Sequence, residues 1–258
     1  MNLLSTCLIT RNEEHNLPRV LHSVQGIVDE IVVVDCGSTD RTLEIARGHG
    51  AKVVTRAWTN FAEQKNAAAA AAGHDWILSL DADEEVSSEL RDSLLAWKKK
   101  KPEFAVYEFA RRTWYLGAWI NHTGWYPDFQ RRLFRRDAAQ FSGIIHEALR
   151  FRGKAGRLKG DLLHYTVRSV EEHGQKVEQY TTLAAQQMLT AGRRSWRAAM
   201  WLAPPWNWFN NYVLHLGFLD GHRGWVISRM AARGTWLKFK KLGELLEARQ
   251  QAGEVKAP

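Results

Sequence analysis

The chain has 258 residues, enough for one large core or for one domain with an appendage, and 45% hydrophobic with 25% charged residues excludes a disordered protein. Its net charge of +8 is local: Thr190 to Lys241 holds nine Lys or Arg and a single acid, Asp220, while the remainder balances at 27 of each sign. That argues against a generally cationic, nucleic-acid-coating chain and for a local anionic partner, with no nucleic acid expected.

Two cysteines, Cys7 and Cys36, lack metal or redox spacing and read as reduced thiols. The N-terminus does not read as a signal peptide, and no run of about 18 apolar residues offers a spanning helix. A cytoplasmic protein, soluble or peripheral, is the expectation.

Leu3 to Thr10 reads as a buried strand, followed by the polar loop Arg11-Asn12-Glu13-Glu14 and a helix with Leu17, Val20, Leu21 and Val24 at helical spacing. Ile31 to Val34 is a second strand, ending in Asp35 and the turn Cys36-Gly37-Ser38-Thr39-Asp40 before a helix to about Arg47. Lys52 to Thr55 is a third strand, and Phe61 to Ala72, with six consecutive alanines, is a helix stopped at Gly73.

The fourth strand carries the chemistry. Trp76 to Leu80 is apolar and gives way to Asp81, Asp83, Glu84 and Glu85, so a buried parallel strand delivers acids to the carboxyl edge of a sheet, where open α/β sheets bind ligands. Asp81-x-Asp83 can bring two carboxylates to one hard divalent cation, although acids there also suit the start of the next helix, for which Ser87 and Ser88 are caps. Four strand-helix alternations predict a doubly wound, mostly parallel α/β sheet, and the dinucleotide Gly-x-Gly-x-x-Gly is absent after the first strand.

Lys98 to Lys101 reads as a solvated helix end, and Phe104 to Ala110 alternates like a half-buried strand. An aromatic-rich region, Trp114 to Tyr126, precedes Asp128-Phe129-Gln130-Arg131-Arg132-Leu133-Phe134-Arg135-Arg136. Arginines beside a metal-carboxylate site suit a diphosphate, but alternation puts Arg131 and Arg132 on opposite faces. His146 and Glu147 offer a ligand and a base, or a surface pair.

Helices follow from Ser169, with Val177, Tyr180, Ala184 and Met188 as one expected face and Pro204-Pro205 as an expected break. On a helix covering Trp225 to Leu242, Arg229, Arg233 and Lys240 share a stripe flanked by Val226, Met230 and Leu237 and by Trp225 and Trp236. Such a face would suit an anionic membrane surface or would pack against the rest of the protein.

Taken together, Thr10-Arg11-Asn12-Glu13-Glu14, Val32 to Thr42, Gln64-Lys65-Asn66 and Leu80-Asp81-Ala82-Asp83-Glu84 resemble glycosyltransferase family 2, the inverting GT-A enzymes that use nucleotide sugars. Arg131 to Arg136, Gly143 to Glu147 and Gly217-Phe218-Leu219-Asp220-Gly221 look like a subgroup near the lipopolysaccharide-core β-1,4-glucosyltransferases. The resemblance implies a GT-A catalytic domain over 1–168, with a nucleotide-sugar half to about 90 and an acceptor half over 91–168, and a helical, basic extension over 169–258. It implies that Asn12, Glu13 and Asp35 contact the nucleoside, that Asn66 lies near the donor, that Asp81 serves ribose or metal, and that Asp83 holds Mg²⁺ or Mn²⁺. Arg131 and Arg132 are expected on the diphosphate and His146 as a further metal ligand. The Glu-Asp pair and Gln-x-x-Arg-Trp of many members are missing, which leaves the base open; Glu147 is the leading expectation for it, with Asp128 second.

The implied donor is UDP-glucose, and the acceptor a lipid-linked saccharide of the lipopolysaccharide core at the inner membrane face. The competing readings are a sugar nucleotidyltransferase, whose phosphate-cradling loop would be basic where Arg11-Asn12-Glu13-Glu14 is acidic, and a non-enzymatic nucleic-acid or membrane-binding module.

Overall fold

The structure is a computed structural model and describes residues 1–143, 147–167, 169–251 and 253. Two compact units divide the chain: Met1–Arg112 with Asp128–His164, and Thr113–Pro127 with the segment from Tyr165 onward.

The first unit opens with β1 (Leu4–Thr10), α1 (Leu17–Val24), β2 (Glu30–Asp35), α2 (Thr42–Gly48), β3 (Lys52–Thr55), α3 (Phe61–Ala71) and β4 (Trp76–Leu80). It continues through β5 (Glu84–Val86), α4 (Ser88–Lys98), β6 (Val106–Tyr115) and, after β7 (Ala118–Trp119) of the other unit, β8 (Asp128–Arg135), β9 (Ala139–Ser142), β10 (Ala148–Phe151) and β11 (Gly156–Val167). The sheet order is β3-β2-β1-β4-β8-β6-β11-β5. Strands β3, β2, β1 and β4 are parallel, as βαβ crossovers require, and β4–β8, β8–β6 and β11–β5 are antiparallel.

Both faces of the parallel half are covered. Leu4, Leu8, Val33 and Leu78 pack with α1 and α4 through Leu17, Val20, Leu21, Leu90 and Leu94, whereas Cys7, Val32, Val34 and Ile77 pack on the alanines of α3. Small side chains let α3 lie close: the Cys7 thiol reaches the carbonyl of Ala68 at 3.3 Å, and burial pushes that thiol up to about 12. Asn60 caps α3 by accepting from the Glu63 N–H, and Ser87 caps α4 through the Leu90 N–H.

Lys98 is not solvated. It is 5% exposed, and its ammonium donates to the Ile27 carbonyl at 2.7 Å and to Asp29 at 2.6 Å. A lysine at a helix C-terminus can double back under its own helix, and a nearby carboxylate then decides whether it is buried.

In the second unit, α5 (Val170–Thr190), α6 (Arg197–Phe209), a π-helical turn (Asn210–Leu214), a 3₁₀ turn (Gly217–Asp220) and α7 (Gly221–Gln251) form a helical array. The inner face of α5 is set by Thr181 and Ala185, while Tyr180, expected inside, is 62% exposed. Pro204 and Pro205 do not break α6. They remove the N–H groups that would pair with the carbonyls of Met200 and Trp201, and the helix continues with those acceptors released. Asp220 of the Gly-Phe-Leu-Asp-Gly motif accepts from the backbone N–H groups of Asn121 and His122, a latch within this unit. Gly224 has no alternative: a Cβ there would lie 1.8 Å from the carbonyl oxygen of Gly217.

On α7, Arg229, Arg233 and Lys240 are exposed along one stripe, but Arg233 is 3.3 Å from Glu178 and Lys240 3.6 Å from Glu244. Leu237 and Ile227 are buried. No helix among the described residues is long and apolar enough to cross a membrane.

Candidate active site

Asp35 ends β2, and its Oδ1 accepts from the N–H groups of Gly37 and Ser38 at 2.9 Å each, while Thr10 donates to Oδ2 at 3.0 Å. The carboxylate thus folds its own turn, and Gly37 at φ +88 supplies the left-handed residue the turn needs. The neighbouring loop is latched onto this turn. Asn12, itself at φ +58, donates its N–H to Ser38 Oγ and accepts from Thr39 N–H, both at 2.8 Å. The Glu13 N–H donates to Thr42 Oγ1 at 2.7 Å, and the Glu13 side chain holds Asn16 at 2.8 Å.

Beside these loops lies a cleft of about 240 Å³, lined by Thr10, Arg11, Glu13, Cys36, Trp58 and Phe61. Trp58 and Phe61 meet edge to face at 4.8 Å and are each nearly half exposed. Their rings leave apolar faces free for a planar ligand.

At the end of β4 the two aspartates have different surroundings. Asp81 Oδ1 is 2.8 Å from Lys65 Nζ, and Oδ2 accepts from the Arg132 guanidinium. Burial would raise its carboxyl, but Arg132 and Lys65 reverse this and hold it well below the carboxylate range. Arg132 is 5% exposed, donates also to buried Glu84 at 2.7 Å, and is itself pushed up by the two carboxylates against the opposing effect of burial. Arg111 extends the network, 3.5 Å from Glu84 and 2.7 Å from Asp128, whose other oxygen accepts from Gln130 at 2.8 Å.

Asp83 faces a different partner. Its Oδ2 lies 3.3 Å from His164 Nε2, and the imidazole Nδ1 is buried with no hydrogen-bond partner among the described residues. Burial would raise the Asp83 carboxyl, and the hydrogen bond and charge of His164 bring it below its ordinary value. Strand β11 brings His164 there: His164 is opposite Glu84 in the β11–β5 ladder. A Cβ on Gly160 would sit 2.2 Å from the backbone nitrogen of Leu90, so only glycine lets β11 come this close to α4. Ser87 then clasps Asp161: its N–H donates to the Asp161 carbonyl and its Oγ accepts from the Asp161 N–H, both at 3.1 Å.

Lys65 joins the last acid to the group. Its ammonium, 3% exposed, also contacts Glu147 Oε1 at 3.0 Å, which places Glu147 one side chain away from Asp81. Asn66 instead clamps Phe141, donating to its carbonyl and accepting from its N–H, both at 2.9 Å. Arg131 is on the other face of β8, 3.7 Å from Glu108 and over the Phe151 ring. His146 lies outside the described residues.

The structure therefore brings Asp81, Asp83, Arg132, Glu147 and, through Arg111, Asp128 into one charged cluster, with Asp35, Asn12 and Glu13 shaping the loops at the same carboxyl edge. Sequence reasoning missed Lys65, Glu84, Arg111 and His164. The first two stand inside the quoted motifs, whereas Arg111 and His164 carry no local signal and are delivered by antiparallel strands. No group of three or more His, Cys, Asp or Glu among the described residues forms a ready-made metal cage. Asp83 with His164 supplies two donors, an oxygen and an imidazole nitrogen.

The family model described as Glycosyl transferase family 2 matches residues 5–155. An uncharacterized glycosyltransferase of Rickettsia typhi is 30% identical over 257 residues, 95% of this chain and 88% of that protein. The lipopolysaccharide core biosynthesis glycosyltransferase LpsC of Rhizobium meliloti is 30% identical over 231 residues, covering 84% and 82% of the two chains. Among solved structures, S. aureus TarS 1-349 aligns over 97% of this chain and 92% of its own at 15% identity with a TM-score of 0.45. Glucosyl-3-phosphoglycerate synthase from Mycobacterium tuberculosis, in complex with Mg²⁺ and uridine-diphosphate, is 31% identical over 33% of this chain and 34% of its own, with a TM-score of 0.29.

Proposed function

Because the chain belongs to glycosyl transferase family 2, we propose that it is a metal-dependent, inverting hexosyltransferase that moves glucose from UDP-glucose to a hydroxyl of a lipid-linked saccharide of the lipopolysaccharide core. The observation that carries this reading is the convergence of Asp81, Asp83 and His164 at the carboxyl end of β4, on the same sheet edge as the Asp35 turn. The acceptor class is supported by the similarity to LpsC over most of both chains, and glucose by the motif resemblance to core glucosyltransferases.

The nucleoside fits the cleft beside Asp35 and Glu13, where Trp58 and Phe61 offer ring faces. Asp83 and His164 would hold Mg²⁺ or Mn²⁺, and two protein donors leave positions for diphosphate oxygens and water. When bound, the cation supplies neutralisation of charge growing on the departing diphosphate. Lys65 and Arg132 keep Asp81 charged and fixed, so that it orients the donor. The acceptor oxygen attacks the anomeric carbon as its proton passes to a carboxylate, and the bond to the diphosphate breaks with its electron pair leaving on the diphosphate. Glu147 suits this base better than Asp128, because Asp128 accepts on both oxygens from Arg111 and Gln130 while Glu147 is bound to Lys65 through one.

The test is UDP release from UDP-glucose with Mn²⁺ and a core oligosaccharide acceptor, with the anomeric configuration of the product read by NMR. Acceptor-dependent release with inversion is expected, and Glu147→Gln should lower kcat by about 10² or more with donor binding kept, beyond the loss in Asp128→Asn. Retention of configuration, or a greater loss in Asp128→Asn, would overturn the mechanism or the base.

A further inference from the structure

Helix α6 is apolar nearly all round, and its solvent-facing side is apolar too. Its exposed positions are Ala198, Trp201, Leu202, Pro205, Trp206 and Phe209, with Arg197 at one edge, and at 100° per residue they fill one continuous side of the helix. Trp201 is 67%, Leu202 73% and Trp206 61% exposed, so large apolar side chains stand in solvent on a helix with no polar face to present there. The apolar surface continues through Leu214, Leu216, Phe218 and Leu219, each 45% exposed or more. A patch with so many large side chains marks an interaction surface.

Its charge points to the partner. Trp225 of α7 joins the patch, its ring 5.4 Å from Trp208 and 5.6 Å from Tyr212, and Arg229 follows one turn along the same exposed stripe. Arg193 and Arg194 precede α6, and Arg194 and Arg229 have no carboxylate partner among the described residues. Asp220, the sole acid between Thr190 and Lys241, is turned inward onto His122, its side chain 5% exposed. A self-association through this face would bring the arginines towards their own copies, whereas a layer of phosphate headgroups over hydrocarbon matches both components.

We propose that this face, Trp201, Leu202, Trp206, Phe209 and Leu219 with Arg194 and Arg229 around it, docks the protein in the headgroup boundary of an anionic bilayer. Thirteen residues of α6 do not span a bilayer, so insertion is shallow, with rings at the acyl boundary and guanidinium groups on lipid phosphates. The docking is independent of the catalytic reading. It also differs from docking through the stripe of α7 alone, where Glu178 and Glu244 already partner Arg233 and Lys240.

Co-sedimentation with vesicles of phosphatidylglycerol and phosphatidylethanolamine, against pure phosphatidylcholine, tests it. The full chain should bind the anionic vesicles, less so as salt rises. The W201Q/L202Q/W206Q variant should lose at least about tenfold in binding, and R194Q/R229Q about fivefold per arginine on anionic vesicles only. Circular dichroism and UDP release with a soluble acceptor should stay unchanged in both variants. Equal binding to both vesicle types, binding to neither, or a dimer in light scattering that these substitutions dissolve while vesicle binding persists would overturn the proposal.

Discussion

Asp81 and Lys98 show how a charge is kept inside this protein. Asp81 is held by two cations, and Lys98 by a carbonyl and Asp29. Burial alone would raise the Asp29 carboxyl, but hydrogen bonds from Lys98 and the Leu4 N–H reverse this and lower it from 3.8. A carboxyl lowered in the folded state binds fewer protons than in the unfolded chain. Its contribution is therefore complete above pH 3.8 and is lost as pH falls through the lower folded value. Lys98→Met should flatten that acid loss in urea unfolding, and should cost only about 1 kcal/mol at neutral pH, because Asp29 is part-exposed and keeps the Leu4 N–H when its partner is lost. An unchanged acid limb would contradict the pairing. Four lysines in a row looked like solvent-facing charge because nothing local separates Lys98 from Lys101; the distinction arises from Ile27 and Asp29, about seventy residues away. Asp81 and Asp83 were legible for the opposite reason, since an apolar strand ending in acids is a local signal.

Elements, too, differ in how much their sequences reveal. The parallel strands and the helices between them follow from periodicity and from caps such as Asn60 and Ser87. Strands β8 and β11 supply Arg132 and His164, and their placement depends on partners far along the chain, so neither side chain could be aimed from sequence alone. Gly160 is the hinge of that placement. Gly160→Ala adds a methyl that meets the α4 backbone at a positive φ of +93, and should destabilise the protein by about 3 kcal/mol in chemical denaturation. It should also weaken metal-dependent donor binding by moving His164. A variant with native stability would show that β11 and α4 are not in this contact. On α6, the double proline signalled an end that the helix does not have: both prolines lie inside it, and the chain continues helically past the two lost N–H groups.

For the whole molecule, family membership and the charged cluster converge on glycosyl transfer, and the basic surplus falls in the second unit with the exposed aromatic face. Charge bias was visible in the sequence, but the face was not: tryptophans at helical spacing read equally well as core until their exposure is seen. In the proposed reaction Asp83 and His164 would hold the metal of the donor site. The direct measurement is Mn²⁺ titration of UDP binding by thermal shift in wild type, Asp83→Asn and His164→Gln. Unliganded melting should be nearly unchanged, while the Mn²⁺ needed for the UDP-dependent shift should rise at least about tenfold in each variant. Wild-type Mn²⁺ dependence in Asp83→Asn, or UDP binding indifferent to Mn²⁺ in the wild type, would contradict it.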